Sequence, residues 1–241
     1  MDGLRAVLLI VIVMSSTMCL VPFWNIITSP EGDYSETEVV EYRYAGTDFI
    51  LEVPVESDPA IRLGPDSLKW SFITSEDSAV LHLARTIKDL KEWKSERQIA
   101  EYALGWVQSC IEYVSDSDAH GFHEYWQLPC ETLRLGSGDC EDQAFLLVSL
   151  WIALGLDAVL VMEPGHVSAG VLVEQRSYDS TVYHDGRHYV TGDPTSASLL
   201  GCSTPNTESV YGGWDIRIVV LLSLSLSAFL FLIWCIKRLY L

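Results

Sequence analysis

Apolar residues return every three or four positions through the middle of this chain. Val80, Leu83, Ala84, Ile87 and Leu90 form one such series, opened by the capping run Ser75-Glu76-Asp77, and predict a helix over 75–93. Ile99, Tyr102, Ala103, Trp106, Val107, Cys110, Ile111 and Val114 form a second, starting at Ser95. A third helix is predicted from Cys140 to Leu154, with Gly155 as its stop. The period then falls to two. Strands are predicted over 158–162 and 167–173, and a strand pair over 180–183 and 188–191 around the turn Asp185-Gly186. Before the helices, 39–44 and 49–55 alternate on either side of Ala45-Gly46-Thr47-Asp48 and predict a hairpin, with one more strand at 68–73. Residues 115–138, with two histidines, aromatics and a proline, read as a loop.

Two runs break both periods. Residues 6–27 and 218–236 carry no charge and are long enough to cross a hydrocarbon layer of ~30 Å. Each predicts a transmembrane helix, the first open between an uncleaved anchor and a cleaved signal peptide. Arg5, Lys237 and Arg238 lie at the outer ends, so the positive-inside tendency puts both termini in the cytoplasm. The expected location is the cell membrane, with two transmembrane segments and an extracytoplasmic domain between them.

Charge narrows the partners. The 241 residues hold 33 Asp and Glu against 15 Lys and Arg, a net charge of −18, which excludes a nucleic-acid binder because phosphates would be repelled. Six cysteines do not make a disulfide scaffold in a chain of this length. Cys19 and Cys235 fall in the uncharged runs; Cys110–Cys130 and Cys130–Cys202 are the conceivable bridges, and Cys110 also fits an apolar helix face.

Several chemistries lack their pattern. His120 and His123 are followed by Glu124, but a zincin helix needs a second histidine four positions on, where Gln127 stands. There is no GxSxG elbow and no P-loop. Cys140 is different. It follows Gly136-Ser137-Gly138 and opens a predicted helix, where free N–H groups favour a thiolate, while Asp139, Glu141 and Asp142 oppose it. His166 at the start of a strand and Asp193 after the next hairpin complete a chemically sufficient set of nucleophile, acid/base and orienting carboxylate.

The order of helix, loop, Gly138-Asp139-Cys140-Glu141-Asp142, helix, strand histidine and Asp193-Pro194-Thr195 resembles the transglutaminase-like superfamily, over about residues 95–196. The stretch from Tyr125 through Trp126, Gln127 and Cys130 to Asp142 is similar to membrane-associated prokaryotic members. The resemblance implies that Cys140 is the nucleophile, His166 the acid/base and Asp193 the orienting carboxylate. It implies that Trp126 or Gln127 stabilises the oxyanion. It also implies that Asp139, Glu141 and Asp142 match acids that bind calcium in bacterial transglutaminase-like cysteine proteinases; a helix cap is the other reading of the same three. No cofactor is required, and calcium is the one candidate. His166-Val167-Ser168 departs from the His-Ala-Trp common in members, which touches substrate preference.

The expected fold is thus α+β, a papain-like, transglutaminase-like core of helices packed on an antiparallel sheet, with a small N-terminal β appendage and a transmembrane helix at each end. The expected divisions are 1–27 anchor or signal, 28–74 appendage, 75–205 catalytic domain, 206–217 linker and 218–236 transmembrane helix. The expected function is a membrane-anchored cysteine hydrolase, a peptidase or amidase, acting on a protein or peptide at the cell surface through a thioester. Protein-glutamine acyl transfer and a non-catalytic binding module are the alternatives.

Overall fold

The computed structural model describes residues 34–56 and 66–212. Strands β1 (Tyr34–Tyr44) and β2 (Thr47–Glu56) form the predicted hairpin, antiparallel with Tyr44 opposite Thr47. Its two-residue turn needs left-handed backbone at both positions, which Ala45 (φ 50°) and Gly46 (φ 82°) supply. Alternation along β2 divides it cleanly: Phe49, Leu51 and Val53 are fully buried, whereas Ile50 between them is 57% exposed. The buried three belong to the same core as the helices, so the hairpin is packed into the main body.

Helices α1 (Ser78–Asp89) and α2 (Glu96–Cys110) follow, each begun by the cap its sequence promised. Asp77 accepts from the Ala79 N–H at 2.8 Å, and Ser95 Oγ from the Gln98 N–H at 3.3 Å. Then come β3 (Glu112–Tyr113), α3 (Asp116–Ala119), α4 (Pro129–Leu135), β4 (Ser137–Gly138) and α5 (Cys140–Ala153). Helix α5 has no polar face. Residues 141–151 are all buried, so it lies inside the protein, with α1, α2 and α4 on one side and the sheet on the other. Trp151 Nε1 donates to the Ala100 carbonyl at 3.1 Å and fixes α5 against α2.

The sheet is built from β5 (Ala158–Glu163), β6 (His166–Val171), β7 (Thr181–His184), β8 (Arg187–Gly192) and β9 (Ser209–Gly212). Its order is β7-β8-β6-β5-β9, antiparallel throughout. Buried Arg97 on α2 ties down the loops around it, donating to both carboxylate oxygens of Asp179 (2.6 and 3.0 Å) and to the carbonyls of Glu174 and Leu200.

The structure corrects some expectations. Among the described residues no helix is long and apolar enough to cross a membrane. Helix α2 has 15 residues, short of the ~20 that a hydrocarbon core demands. A transmembrane helix at each end is therefore not part of the described fold, which is α+β with an antiparallel sheet, and the placement in the membrane with two spanning segments and an extracytoplasmic domain loses its footing. The runs 6–27 and 218–236 themselves lie outside the described residues. The strand expected at 68–73 is a 3-10 helix, Asp66–Phe72. Consecutive Lys69 and Trp70 are both buried, which a strand with one buried face does not allow. Ser209–Gly212, inside the stretch read as a linker, is the edge strand β9 on β5. Cys110, Cys130, Cys140 and Cys202 are free thiols, so neither conceivable bridge forms.

Truncating Phe49 to Ala should destabilise the whole protein by roughly 3–5 kcal/mol, because the cavity opens in the shared core. Urea unfolding followed by tryptophan fluorescence checks this. A loss confined to the hairpin, with the helical transition unmoved, would contradict it.

Candidate active site

The first turn of α5 enters the core from a glycine turn. Gly136 ends α4 in the left-handed region (φ 68°), and β3 and β4 pair in parallel, bringing Tyr113 beside Gly138. A side chain at residue 138 would come within 2.7 Å of Asp142 Cβ, so only glycine lets the turn lie this close to the helix. Asp139 caps the helix and Cys140 is its first residue. Fully buried Asp142 closes the cap, accepting from the Asp139 N–H at 3.3 Å and the Gln127 N–H at 2.8 Å.

His166 opens β6 and Asp193 follows β8, two strands that are neighbours in the sheet. His166 Nε2 lies 3.3 Å from Asp193 Oδ2. Thr195 donates twice to Asp193 Oδ1, through N–H at 3.0 Å and Oγ1 at 2.8 Å. Gln108 Nε2 on α2 donates to the Asp193 and Ser198 carbonyls and holds this turn in place. The hydrogen bond to Asp193 raises the imidazole above its ordinary 6.5, against burial. Burial pushes the Asp193 carboxyl up, but the bonds from His166 and Thr195 outweigh it and leave it below the ordinary range. With Nε2 held by the carboxylate, Nδ1 is the ring nitrogen left to exchange a proton.

The surroundings of the sulphur favour its thiol form. Burial drives the Cys140 thiol well above its ordinary value, followed by the charges of Glu141 and Asp139, while the Val167 N–H works the other way. The thiol donates to Glu141 Oε2 at 3.1 Å. The favourable field of one helix terminus is thus outweighed by carboxylates in its own first turn. Val167 adjoins His166, so the N–H acting on the sulphur also marks where the start of β6 meets the start of α5.

Trp126 and Gln127 are both buried in the segment before α4. The Trp126 indole N–H donates to Glu124 Oε1 at 2.9 Å, and Gln127 Nε2 donates to His120 Nε2 at 3.1 Å. The Trp126 donor and one N–H of the Gln127 amide are therefore engaged elsewhere. The backbone N–H of Cys140 belongs to the first helical turn, whose N–H groups have no acceptor within the helix. It is a donor that residue-type reasoning passes over.

The acids form a larger group than the three flanking the cysteine. Asp116 on α3 and Glu124 in the following loop join Asp139, Glu141 and Asp142, in overlapping sets whose ligand atoms lie within 4.8 Å of one another. Burial, followed for Asp139 by the charges of Glu141 and Asp142, pushes Asp139 up to about 9 and Asp116 up to about 6. Glu141 alone of the group falls below the ordinary range: burial raises it, but Lys69 and hydrogen bonds from Glu124, Asp139 and Cys140 prevail. Asp116 Oδ1 and Asp139 Oδ1 are buried without a hydrogen-bond partner. Unpaired carboxylate oxygens in a dry cluster are donors in want of a cation, and an all-oxygen set fits calcium. Asp116 and Glu124 carry no signal in sequence, because nothing local connects that loop to the helix.

Beside this centre lies a cavity of about 680 Å³, lined among others by Cys110, Tyr113, Gln143, Pro194, Thr195 and Ser196. Its walls start from the residues next to the site on both sides: Tyr113 paired to Gly138, and Thr195 bound to Asp193.

No family model and no curated protein matches this sequence. Among solved structures the chain is similar to LapG of Legionella pneumophila. The EGTA-treated form is 18% identical with a TM-score of 0.39, over 62% of this chain and 79% of that one. The calcium-bound form is 18% identical with a TM-score of 0.37, over 62% and 81%. A proposed cysteine protease from Cytophaga hutchinsonii is 16% identical with a TM-score of 0.38, over 73% and 71%. Likenesses this distant leave the chemistry to be read from the residues themselves.

The His166–Asp193 pair predicts a pH signature. A histidine raised in the folded state contributes stability below its unfolded value near 6.5 and loses it as pH rises through the folded value. In Asp193→Asn the His166 midpoint, followed by imidazole proton NMR, should move down. A midpoint that stays put would mean that Asp193 is not its partner.

Proposed function

We propose that this chain is a cysteine peptidase or amidase of the transglutaminase-like kind, cleaving a peptide or amide bond at Cys140 with His166 and Asp193. The reading is carried by one observation: the imidazole paired at Nε2 with Asp193 opens β6 next to Val167, whose N–H acts on the Cys140 sulphur at the opening of a buried helix.

Surroundings that favour the thiol make the route general-base activation rather than a standing ion pair. His166 Nδ1 takes the thiol proton as Sγ forms its bond to the substrate carbonyl carbon, and the carbonyl electron pair moves onto oxygen. The Cys140 N–H, which has no acceptor within its helix, stabilises that oxyanion, a contribution of roughly 3–4 kcal/mol for one well-placed donor. The imidazolium, held by Asp193, then passes its proton to the leaving nitrogen as the C–N bond breaks, giving a thioester. Water attacks the thioester carbon and loses a proton to His166, and the acid product departs as the thiol is restored. An amine in place of water would give protein-glutamine acyl transfer by the same steps.

The substrate is a protein or peptide seated in the cavity between Tyr113 and Thr195. Net charge disfavours nucleic acid. Asp116, Asp139 and Glu141, with Asp142 bracing them, are the residues that would hold calcium. Bound there, calcium supplies positive charge that lowers the cost of a thiolate beside Glu141. A non-catalytic binding module is the competing outcome of the test.

Cys140→Ala should lower kcat/KM on a fluorogenic peptide library by about 10³-fold or more, with circular dichroism unchanged. An electrophilic thiol probe should label Cys140 in wild type and much less in His166→Ala. Equal turnover by wild type and Cys140→Ala would overturn the catalytic reading, and an inert thiol would favour the binding module.

A further inference from the structure

Lys69 is the least expected residue of the site. It comes from the 3-10 helix, remote in sequence from Glu124, Trp126 and Glu141, and only 6% of it is exposed. Lysine is almost never buried to this degree unless its ammonium is paired. Here Nζ lies 3.7 Å from Glu124 Oε1 and 3.7 Å from Glu141 Oε1, and 5.2 Å from the centre of the Trp126 ring. The Trp126 indole N–H in turn donates to the same oxygen of Glu124, so ring, carboxylate and ammonium form a closed unit. The stem of the side chain is thereby fixed as well as its charge.

Glu124 and Glu141 are not the whole cluster. They face the ammonium, while Asp116 Oδ1 and Asp139 Oδ1 remain buried and unpartnered. Glu141 belongs to both sides. It binds Lys69 through Oε1 and accepts the Cys140 thiol through Oε2, and it takes part in two of the overlapping ligand sets. A divalent cation that uses Glu141 therefore sits within a few ångströms of a positive charge that is buried as Glu141 is, where solvent screens the repulsion little.

We infer that Lys69 is an internal cation of this site: a tethered ammonium that occupies the Glu124–Glu141 side of the acidic cluster, orients Glu141 beside Cys140, and competes with a divalent cation for the rest. It is a positioning residue, acting on the sulphur only through Glu141. The inference rests on reading the cluster as a cation site and is independent of whether Cys140 turns over substrate.

The test is calcium binding by isothermal titration to the full chain, in wild type, Lys69→Met and Lys69→Arg, with thermal unfolding of each in EGTA and in calcium. Lys69→Met should bind calcium about tenfold tighter or more than wild type. Its Tm should drop in EGTA and return in calcium, while Lys69→Arg should follow wild type. Calcium affinity unchanged or weakened in Lys69→Met overturns the inference, as does a Lys69→Met protein that is unfolded in calcium and EGTA alike. Binding by wild type with no effect of Lys69→Met would sink the inference alone. No binding by any variant would sink the cation site with it.

Discussion

Everything at this site follows from a helix that is buried from its second residue to Trp151. Residues 141–151 leave α5 no face for water, so its first turn cannot lie at the surface as helix beginnings usually do. That turn carries a cysteine and three carboxyl groups. Placing them inside demands compensation, and the surrounding elements exist in the geometry that supplies it. The Gln127 N–H binds Asp142, Lys69 reaches Glu141, and the Val167 N–H addresses the sulphur.

The compensation is incomplete, and the shortfall defines the chemistry. Burial and mutual repulsion keep Asp139 and Asp116 from ionising as free carboxyls would, and hold Cys140 as a thiol. In the proposed reaction the thiol proton passes to an imidazole whose other nitrogen is already bound to Asp193. The acids raise the thiol and the Val167 N–H lowers it. Whatever places positive charge among the acids, whether Lys69 or a bound cation, shifts that balance towards the thiolate.

The scaffold separates these two influences onto different parts of the chain. The imidazole and its carboxylate stand at the ends of adjacent antiparallel strands, a spacing set by backbone hydrogen bonds and braced from α2 by Gln108. Asp116, Glu124 and Lys69 come from short helices and a loop, positioned by side-chain bonds such as that of the Tyr125 N–H to Asp116 Oδ2, and meet the acids that open α5. The first arrangement is stiff by construction. The second depends on charge, and is the part that a change of cation can remodel.

What the sequence determined by itself is whatever depends on neighbours along the chain. The caps at Asp77 and Ser95, the hairpin at Ala45-Gly46, the helix opened by Cys140, and the strand positions of His166 and Asp193 are all legible because turn chemistry and hydrophobic period are local. The 3-10 helix at Asp66–Phe72 and strand β9 were not, since six alternating residues do not outweigh packing and an edge strand needs its partner. Nor were Asp116, Glu124 and Lys69, which meet Glu141 only after the chain has folded. Protonation was least legible of all. A helix N-terminus favours a thiolate, and only burial beside several carboxylates, a property of the assembled core, reverses the sign.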